Sequence, residues 1–214
     1  MPEYDAAIFD LDGTLIDSMS VWDRVDEAFL GRRGIPVTED YTAAVSAMCF
    51  SEAAEYTINR YGFPDTPEEL IAEWNGMVLH EYAENILLKP HARELLDRLC
   101  SQGIRLGVAT ALPETLYGPV LRRNEVFDRF SAFASVCEAA RGKGFPDVYL
   151  LTAQRLGVKP ERCVVFEDVL PGIRGAKAAG MTAYGVYDSR AAADESAMRE
   201  LADGYLRDFS EFSI

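Results

Sequence analysis

At 214 residues, the chain is long enough for one large domain or for a core with a smaller insert. Hydrophobic residues make up 49% of it and charged residues 26%, values that are typical of globular proteins and exclude a fibrous or disordered chain. With 35 acidic and 21 basic side chains, the formal net charge is −14. This charge argues against nucleic-acid binding, which requires a basic surface.

The sequence predicts neither a secretory signal nor a membrane span. No apolar h-region follows Met1, and no apolar run is long enough to cross a bilayer. The four cysteines are far apart, without a C-x-x-C pair, so we expect buried free thiols rather than disulfides or a zinc site. These cysteines are Cys49, Cys100, Cys137 and Cys163. A cytoplasmic location is therefore expected.

The predicted elements begin with a short strand over residues 6–9. Between residues 16 and 88 no comparable strand pattern occurs, whereas apolar residues recur at helical spacing. Two such series are Val21, Trp22, Val25 and Phe29, and Leu70, Trp74, Val78 and Tyr82. The sequence therefore predicts an all-helical insert over residues 17–88, between the two segments of a core domain formed by residues 1–16 and 89–214.

Strands and helices alternate after the insert. Strands are predicted over residues 105–110, 131–136, 163–166 and 183–186, and helices over residues 91–103, 114–124, 147–157 and 172–180. Short apolar runs between helices are typical of parallel strands that are buried on both faces. We therefore predict an α/β core with a doubly wound, Rossmann-like parallel sheet, whose ligands bind beyond the carboxyl ends of the strands.

Two aspartates follow the first predicted strand in the stretch AAIFDLDGTLIDS. Asp10 and Asp12 repel each other unless a cation neutralises them or one of them carries a proton. The alternative is a purely structural turn, in which Asx hydrogen bonds and a positive φ at Gly13 shape the sequence DLDG. These four residues alone do not decide between the two.

The rest of the chain favours a chemical role. FDLDGTLIDS resembles the first signature of the haloacid dehalogenase superfamily, D-x-D-G-T-L, and the other three signatures follow in order. They are the hydrophobic strand that ends in Thr110, Lys143 in RGKGFPDVYL, and Glu167-Asp168 in VVFEDVLPGIRGAKAAG. The resemblance covers nearly the whole chain, including the helical insert, where the beta-phosphoglucomutase-like branch of the family has its cap.

The resemblance implies an enzyme that transfers a phosphoryl group through an aspartyl-phosphate. It assigns Asp10 as the nucleophile and Asp12 as the acid that protonates the leaving oxygen and later activates water. Thr110 would hydrogen-bond the phosphoryl group, and Lys143 would place a positive charge beside it and Asp10. Taken singly, each type of residue also has an ordinary structural explanation, such as a solvated loop lysine or a strand threonine.

The resemblance also implies Mg²⁺ as the cofactor. The implied ligands are a carboxylate oxygen of Asp10, the backbone carbonyl of Asp12, and Asp168. Glu167 would support them through water or by pairing with Lys143. Oxygen ligands of this kind suit Mg²⁺, which keeps several waters and needs few protein groups.

Within the family, the proton donor Asp12 favours phosphoester chemistry over cleavage of carbon–halogen bonds. Mutases similar to beta-phosphoglucomutase carry a histidine and an arginine in the cap, and this chain has Trp22 and Ser51 at the aligned positions. We therefore predict a phosphatase, with a sugar phosphomutase as the alternative. Arginines elsewhere in the insert are candidates to replace the missing cation: Arg24, Arg32, Arg33 and Arg60. In the second signature, Ala111 replaces the Asn or Ser that is common after the threonine.

Trp22 has two interpretations, an apolar wall of the closed site or an anchor that packs on a second cap helix. The same alternatives apply to Met48, Cys49 and Phe50. An apolar cap suits a small phosphorylated metabolite, such as a sugar phosphate, as the partner. We expect no nucleic-acid or membrane partner, and a monomer is compatible with the sequence, which does not indicate the oligomeric state.

A non-catalytic alternative is a phosphoryl-binding module similar to receiver domains. Such a module does not explain the helical insert or the second aspartate, Asp12. The insert also predicts motion, because two linkers, near residues 16–17 and 88–89, would let the cap open to admit substrate and then close over the site.

Overall fold

The computed structural model describes residues 3–46 and 48–213. In this part of the chain the strands are β1 (Ala6–Phe9), β2 (Arg105–Thr110), β3 (Phe130–Ser135), β4 (Cys163–Glu167), β5 (Thr182–Val186) and β6 (Gly204–Leu206). They form one sheet in the order β3-β2-β1-β4-β5-β6, and every neighbouring pair is parallel. The predicted doubly wound α/β fold class is confirmed. Strand β6 was not predicted, because its three residues, of which Leu206 is buried, are too few to show a strand pattern.

Four helices lie between β1 and the next core element: α1 (Met19–Gly31), α2 (Glu39–Val45), α3 (Phe50–Tyr61) and α4 (Pro67–Glu84). Helix α4 begins where the sequence favours it, since the Thr66 hydroxyl accepts the N–H of Glu69 and the Glu69 carboxylate accepts the N–H of Thr66. The apolar faces of α1 and α4 pack on each other. None of the described helices is both long and apolar enough to cross a membrane.

The remaining helices cover the sheet: α5 (Ala92–Ser101), α6 (Glu114–Arg123), α7 (Asp147–Leu156), α8 (Leu170–Ala178) and α9 (Glu195–Leu201). Alternate side chains of β1 enter two different hydrophobic clusters. Ala7 and Phe9 pack with residues of α5 and α6, whereas Ala6 and Ile8 pack with residues of α7 and α8. Both faces of the sheet are therefore buried, as the continuous apolar strands predict.

The two linkers between the insert and the core run side by side. The N–H of Asp17 donates to the carbonyl oxygen of Leu87 at 2.9 Å, and the N–H of Lys89 donates to that of Leu15 at 2.9 Å. The chain thus leaves the core and returns to it at one place. This arrangement supports residues 17–88 as a separate cap domain, which stays a proposal.

The cysteines differ in their exposure. Cys49 and Cys163 are buried free thiols, but Cys100 and Cys137 are exposed free thiols. The expectation of burial was therefore wrong for these two. Cys100 lies on the outer side of an amphipathic helix, and Cys137 lies in the turn that follows β3, so the apolar residues next to them in sequence face elsewhere.

Candidate active site

Asp10 stands directly after β1, whose residues are all buried. The chain then makes a tight loop, in which three backbone N–H groups converge on the carbonyl oxygen of Leu11 at 2.9–3.1 Å. Gly13 has a φ of +74°, and a Cβ at this position would collide with the carboxylate of Asp168. The positive φ expected at Gly13 is therefore present, and the turn brings the loop against a second strand end.

Three buried carboxylates meet at the carboxyl ends of the adjacent strands β1 and β4. One oxygen from each of Asp10, Glu167 and Asp168 lies within 4.8 Å of the others. The hydroxyl of Thr14 lies 3.2 Å from an Asp10 oxygen and 2.9 Å from an Asp168 oxygen. The sheet order explains the cluster, because β1 and β4 are neighbours although more than 150 residues separate Asp10 from Asp168.

Lys143 supplies a positive charge to this cluster. Its ammonium is 3% exposed, and it contacts a carboxylate oxygen of Asp10 and, at 2.8 Å, one of Glu167. Burial alone would lower the pKa of Lys143, but the charges of Asp10, Glu167 and Asp168 outweigh it and raise the pKa above its ordinary value. Lys143 is therefore a fixed cation.

The loop that carries Lys143 packs closely on helix α8. Gly175 is the contact point, since a Cβ there would lie 2.6 Å from the carbonyl oxygen of Phe145 and closer still to that of Lys143. Only a residue without a side chain permits this approach. A glycine inside the predicted helix RGAKAAG is the sequence signal of this contact.

The acidic cluster has more negative charge than Lys143 offsets. Burial, together with the neighbouring carboxylates, raises the pKa of Glu167 and of Asp168 above the ordinary range. The Tyr149 hydroxyl donates to one oxygen of Glu167 at 2.8 Å, while the other oxygen is buried without a hydrogen-bond partner among the described residues. Buried oxygens with excess charge and an unpartnered atom fit a hard divalent cation such as Mg²⁺.

Asp12 is not part of this cluster, and its side chain is held by the cap. Its Oδ1 accepts a hydrogen bond from the Ser18 hydroxyl at 2.5 Å and another from the Tyr82 hydroxyl of α4. The indole N–H of Trp22 donates to the Tyr82 oxygen at 2.7 Å. Removal from solvent raises the pKa of Asp12 to about 6, although both hydroxyl groups favour the carboxylate.

A cavity of about 110 Å³ lies between the strand ends and the cap. Its core wall includes five of the predicted site residues: Asp10, Asp12, Thr110, Lys143 and Asp168. The sixth, Glu167, lies behind them in contact with Lys143. The Thr110 hydroxyl accepts the N–H of Leu112 at 3.1 Å, which fixes the loop after β2. Residues from the ends of three strands and one loop therefore face one cavity.

The model of the haloacid dehalogenase-like hydrolase family matches residues 4–180. The chain belongs to this family. A phosphorylated carbohydrates phosphatase of Thermotoga maritima is 31% identical over 86% of this chain and 86% of its own length. A beta-phosphoglucomutase of Bacillus subtilis is 30% identical over 85% of this chain and 82% of its own. The crystal structure of CbbY from Rhodobacter sphaeroides in complex with phosphate superposes with a TM-score of 0.84 at 26% identity, over 97% and 96% of the two chains.

These comparisons confirm the predicted family and its enzyme class, a haloacid dehalogenase-like hydrolase of phosphoric monoesters. They therefore argue against a non-catalytic phosphoryl-binding module. This chain resembles relatives of both kinds, phosphatase and mutase, to nearly the same extent.

The cap wall of the hydrolase is aromatic. Trp22 packs edge-on against Phe50 at a ring-centre distance of 5.5 Å, and Phe50 packs in the same way against Trp74 at 6.2 Å. All three line the cavity, as does Met48. Trp22 therefore fulfils both predicted roles, since it faces the cavity and also packs on α4 through Tyr82.

Cations are scarce in this cavity. Of the described residues that line it, Lys143 and Arg190 are basic, and Arg190 pairs with Asp23 at 2.9 Å and Asp26 at 2.8 Å. Ser51, at the position where mutases place their arginine, is exposed and lies outside the described lining. The four cap arginines form ion pairs with cap acids instead: Arg24 with Glu81, Arg32 and Arg33 with Glu73, and Arg60 with Asp40.

Four polar residues of the site were missed in the sequence analysis. Thr14 and Ser18 lie inside the quoted first signature, so their proximity to the two aspartates was a usable signal. Tyr82 was assigned only to the apolar face of a helix, and Tyr149 was not singled out. Their hydroxyl groups contact Asp12 and Glu167 only because distant segments fold together.

Proposed function

We propose that this hydrolase is a Mg²⁺-dependent phosphatase that acts on small phosphorylated metabolites, such as sugar phosphates, through an aspartyl-phosphate on Asp10. The observation that carries the proposal is that two carboxylates of the core wall have different surroundings. One carboxylate, Asp10, is paired with a buried lysine, and a second, Asp12, is held apart from it with a raised pKa. Residues 1–16 and 89–214 form the core in this proposal, and residues 17–88 form the cap.

In the first step, a carboxylate oxygen of Asp10 attacks the phosphorus atom. A bond forms between that oxygen and phosphorus, while the bond from phosphorus to the ester oxygen breaks. Asp12 gives its proton to the departing oxygen, which leaves as an alcohol. A pKa of about 6 keeps a useful fraction of Asp12 protonated near neutral pH, which an ordinary aspartate would not achieve.

In the second step, the Asp12 carboxylate takes a proton from water, and the resulting hydroxide oxygen attacks the phosphorus atom. The acyl–phosphate bond breaks, which releases inorganic phosphate and regenerates the Asp10 carboxylate. Lys143 and Thr110 line the cavity beside Asp10, where they can hold the oxygens of the phosphoryl group in both steps. The same two carboxylates thus serve attack, proton donation and proton removal.

Mg²⁺ would be held by Asp10, by Asp168 and by the backbone carbonyl of Asp12, with Glu167 in support. When bound, it would offset the negative charge on the phosphoryl oxygens. The buried acidic cluster and its unpartnered Glu167 oxygen support this assignment.

The cavity supports hydrolysis over mutase chemistry. A mutase must hold a bisphosphate intermediate and exclude water, which calls for a cation at the far end of the cavity. None of the described residues in the aromatic cap wall is basic, and Arg190 is already paired with two cap aspartates. The similarity to a phosphorylated carbohydrates phosphatase supports sugar phosphates as the first class of substrate to test.

The test measures phosphate release and isomerisation together. The full chain is incubated with Mg²⁺ and a panel of sugar phosphates, nucleotides and small phosphoesters, beside an EDTA sample and the D10N variant. We expect phosphate release that both controls abolish. Conversion of β-glucose 1-phosphate to glucose 6-phosphate with little free phosphate would show a mutase instead.

A further inference from the structure

Two cysteines meet where the cap touches the core, away from the reacting carboxylates. Cys49 stands at the N-terminus of α3, in the cap, and is only 3% exposed because it packs in one hydrophobic cluster with Ala109, Ala134 and Val136 of the core. Cys137 lies in the turn after β3. The loop that carries Cys49 therefore closes directly onto the core residue that could react with it.

The two thiol groups are neighbours. The hydroxyl of Ser51 lies 3.0 Å from the sulfur of Cys49 and 4.0 Å from that of Cys137. The Cys137 thiol is the strongest of the hydrogen-bonding groups that lower the pKa of Cys49, which also receives an N–H group at the start of α3. The Ser135 hydroxyl accepts the N–H of Cys137 at 3.3 Å and holds the turn in place.

The other cysteines lack this arrangement. Cys163 is buried in the sheet, where burial raises its pKa to about 11, and burial also raises the pKa of Cys100. A thiol is nucleophilic as the thiolate, so Cys49 is the cysteine of this chain that is best prepared to react.

We propose that Cys49 and Cys137 form a reversible disulfide that joins the cap to the core and stops turnover by holding the cap closed. The oxidant is a hydroperoxide, which reaches Cys49 when the cap opens, where the Ser51 hydroxyl and the N–H at the start of α3 move with Cys49 and still stabilise its thiolate. The Cys49 sulfur attacks the peroxide, so an S–O bond forms, the O–O bond breaks, and one water or alcohol leaves. On closure Cys137 attacks the Cys49 sulfur, which forms the S–S bond and releases water. Two thiols are oxidised, and one hydroperoxide is reduced by two electrons.

A cross-link at this position acts on substrate entry and product release rather than on the chemical steps. Neither cysteine is among the proposed catalytic groups, and both lie outside the described lining of the cavity. A tethered cap instead prevents substrate entry and product release, which require opening. The proposal therefore rests on the proposed function only for its activity readout, since formation of the cross-link is measured without substrate.

The experiment treats the full chain with hydrogen peroxide and maps the disulfides by mass spectrometry of unreduced peptides. We expect a Cys49–Cys137 cross-link, a loss of phosphatase turnover of about tenfold or more, and recovery with dithiothreitol. The C137S variant, altered at an exposed position, should keep its activity in peroxide. C100S is the matched control and should lose activity as the wild type does. Absence of the cross-link, or full turnover by the cross-linked protein, would overturn the proposal.

Hydrogen exchange keeps this test separate from the proposed phosphatase. If no phosphoester is hydrolysed, the proposed function fails. The effect of the Cys49–Cys137 cross-link on cap opening is still measurable as amide exchange in the linkers near residues 16–17 and 88–89. The cross-linked wild type should exchange these amides more slowly than peroxide-treated C137S. Equal exchange in the two proteins would overturn the proposal that the cross-link holds the cap closed.

Discussion

The core wall of the cavity carries charge, and the cap wall carries aromatic surface. Asp10 and Asp168 follow buried strands that fix their backbones, and Lys143 reaches them from a loop that packs on α8. Trp22 and Phe50 line the cavity from helices of the insert. Under the proposed function, the reaction and the choice of substrate are therefore assigned to separate parts of the chain. They are joined at Asp12, whose backbone belongs to the core and whose carboxylate accepts a hydrogen bond from the cap.

The largest effect should come from removing the nucleophile in the core wall. We expect D10N to lower kcat/KM by about 10⁴-fold or more, because an amide oxygen does not form the acyl phosphate. Phosphate release is the measurement, and the exposed D128N is the matched control that should retain wild-type activity. D10N activity within tenfold of the wild type would contradict the assignment of the reaction to the core wall.

Lys143 should matter next. We expect K143M to lower kcat/KM by about 10²–10³-fold, because the variant loses the buried charge beside Asp10 and leaves Glu167 unpaired. K177M, which removes a half-exposed ion pair with Asp203, serves as the control and should change activity little. Equal losses in the two variants would show that the core wall does not depend on a fixed buried cation.

A substitution of Tyr82 tests the contact between the two walls, the hydrogen bond from Tyr82 to Asp12. Asp12 must be protonated to assist departure of the ester oxygen, so kcat/KM should fall as pH rises through about 6. Y82F removes a hydrogen bond that favours the carboxylate, so the pKa of Asp12 should rise and this fall should move to higher pH by about one unit. The control is Y41F, since the hydroxyl of Tyr41 contacts Thr57 rather than Asp12. A pH profile unchanged by Y82F would show that the cap does not influence the pKa of Asp12.

The acidic cluster predicts how stability depends on pH. Glu167 and Asp168 of this cluster, and Asp12 beside it, have raised pKa values in the folded protein, so the stability that their protonated forms contribute is complete below about pH 4. It is lost as pH rises through about 6 for Asp12, through about 7 for Glu167, and at higher pH for Asp168. Without metal, Tm should fall by several degrees over this range. Mg²⁺ should raise Tm more at pH 8 than at pH 5. Calorimetry at the two pH values tests this, and an equal Mg²⁺ effect at both would contradict a cation held by these carboxylates.

The smallest effect should come from the cap wall. Ser46 is an exposed residue at the cavity, so S46R adds a cation without filling the core. We expect about a threefold gain in kcat/KM for a sugar bisphosphate over the matching monophosphate. S20R, on the exposed side of α1 and outside the described lining, is the matched control and should leave the ratio unchanged. The same gain in both variants would mean that overall charge, not the cap wall, sets the preference.

The core wall was largely predictable because its residues are local to strand ends. Apolar runs locate the strands, and parallel strands in a doubly wound sheet place their carboxyl ends together, so Asp10, Thr110 and Asp168 are expected at one edge of the sheet, while the resemblance to a family assigns their roles. Lys143 needed the resemblance to a family, because a lysine in a glycine-containing loop has no distinctive pattern of its own.

The cap wall was less predictable for a physical reason. Helical periodicity shows which face of a helix is apolar, but it does not distinguish a side chain that packs on another helix from one that faces a cavity. Trp22 does both, and Tyr82 combines an apolar position with a hydroxyl that reaches Asp12. The contact between Cys49 and Cys137 likewise arises only when cap and core meet.

The most direct test of the account is to trap the phosphoryl group on the protein. The wild type and D10N are mixed with labelled substrate and Mg²⁺, quenched in acid within one turnover, and digested to peptides. The account predicts label on the Asp10 carboxylate of the wild type and none on D10N. Rapid turnover without label at Asp10, or equal labelling of D10N, would contradict it.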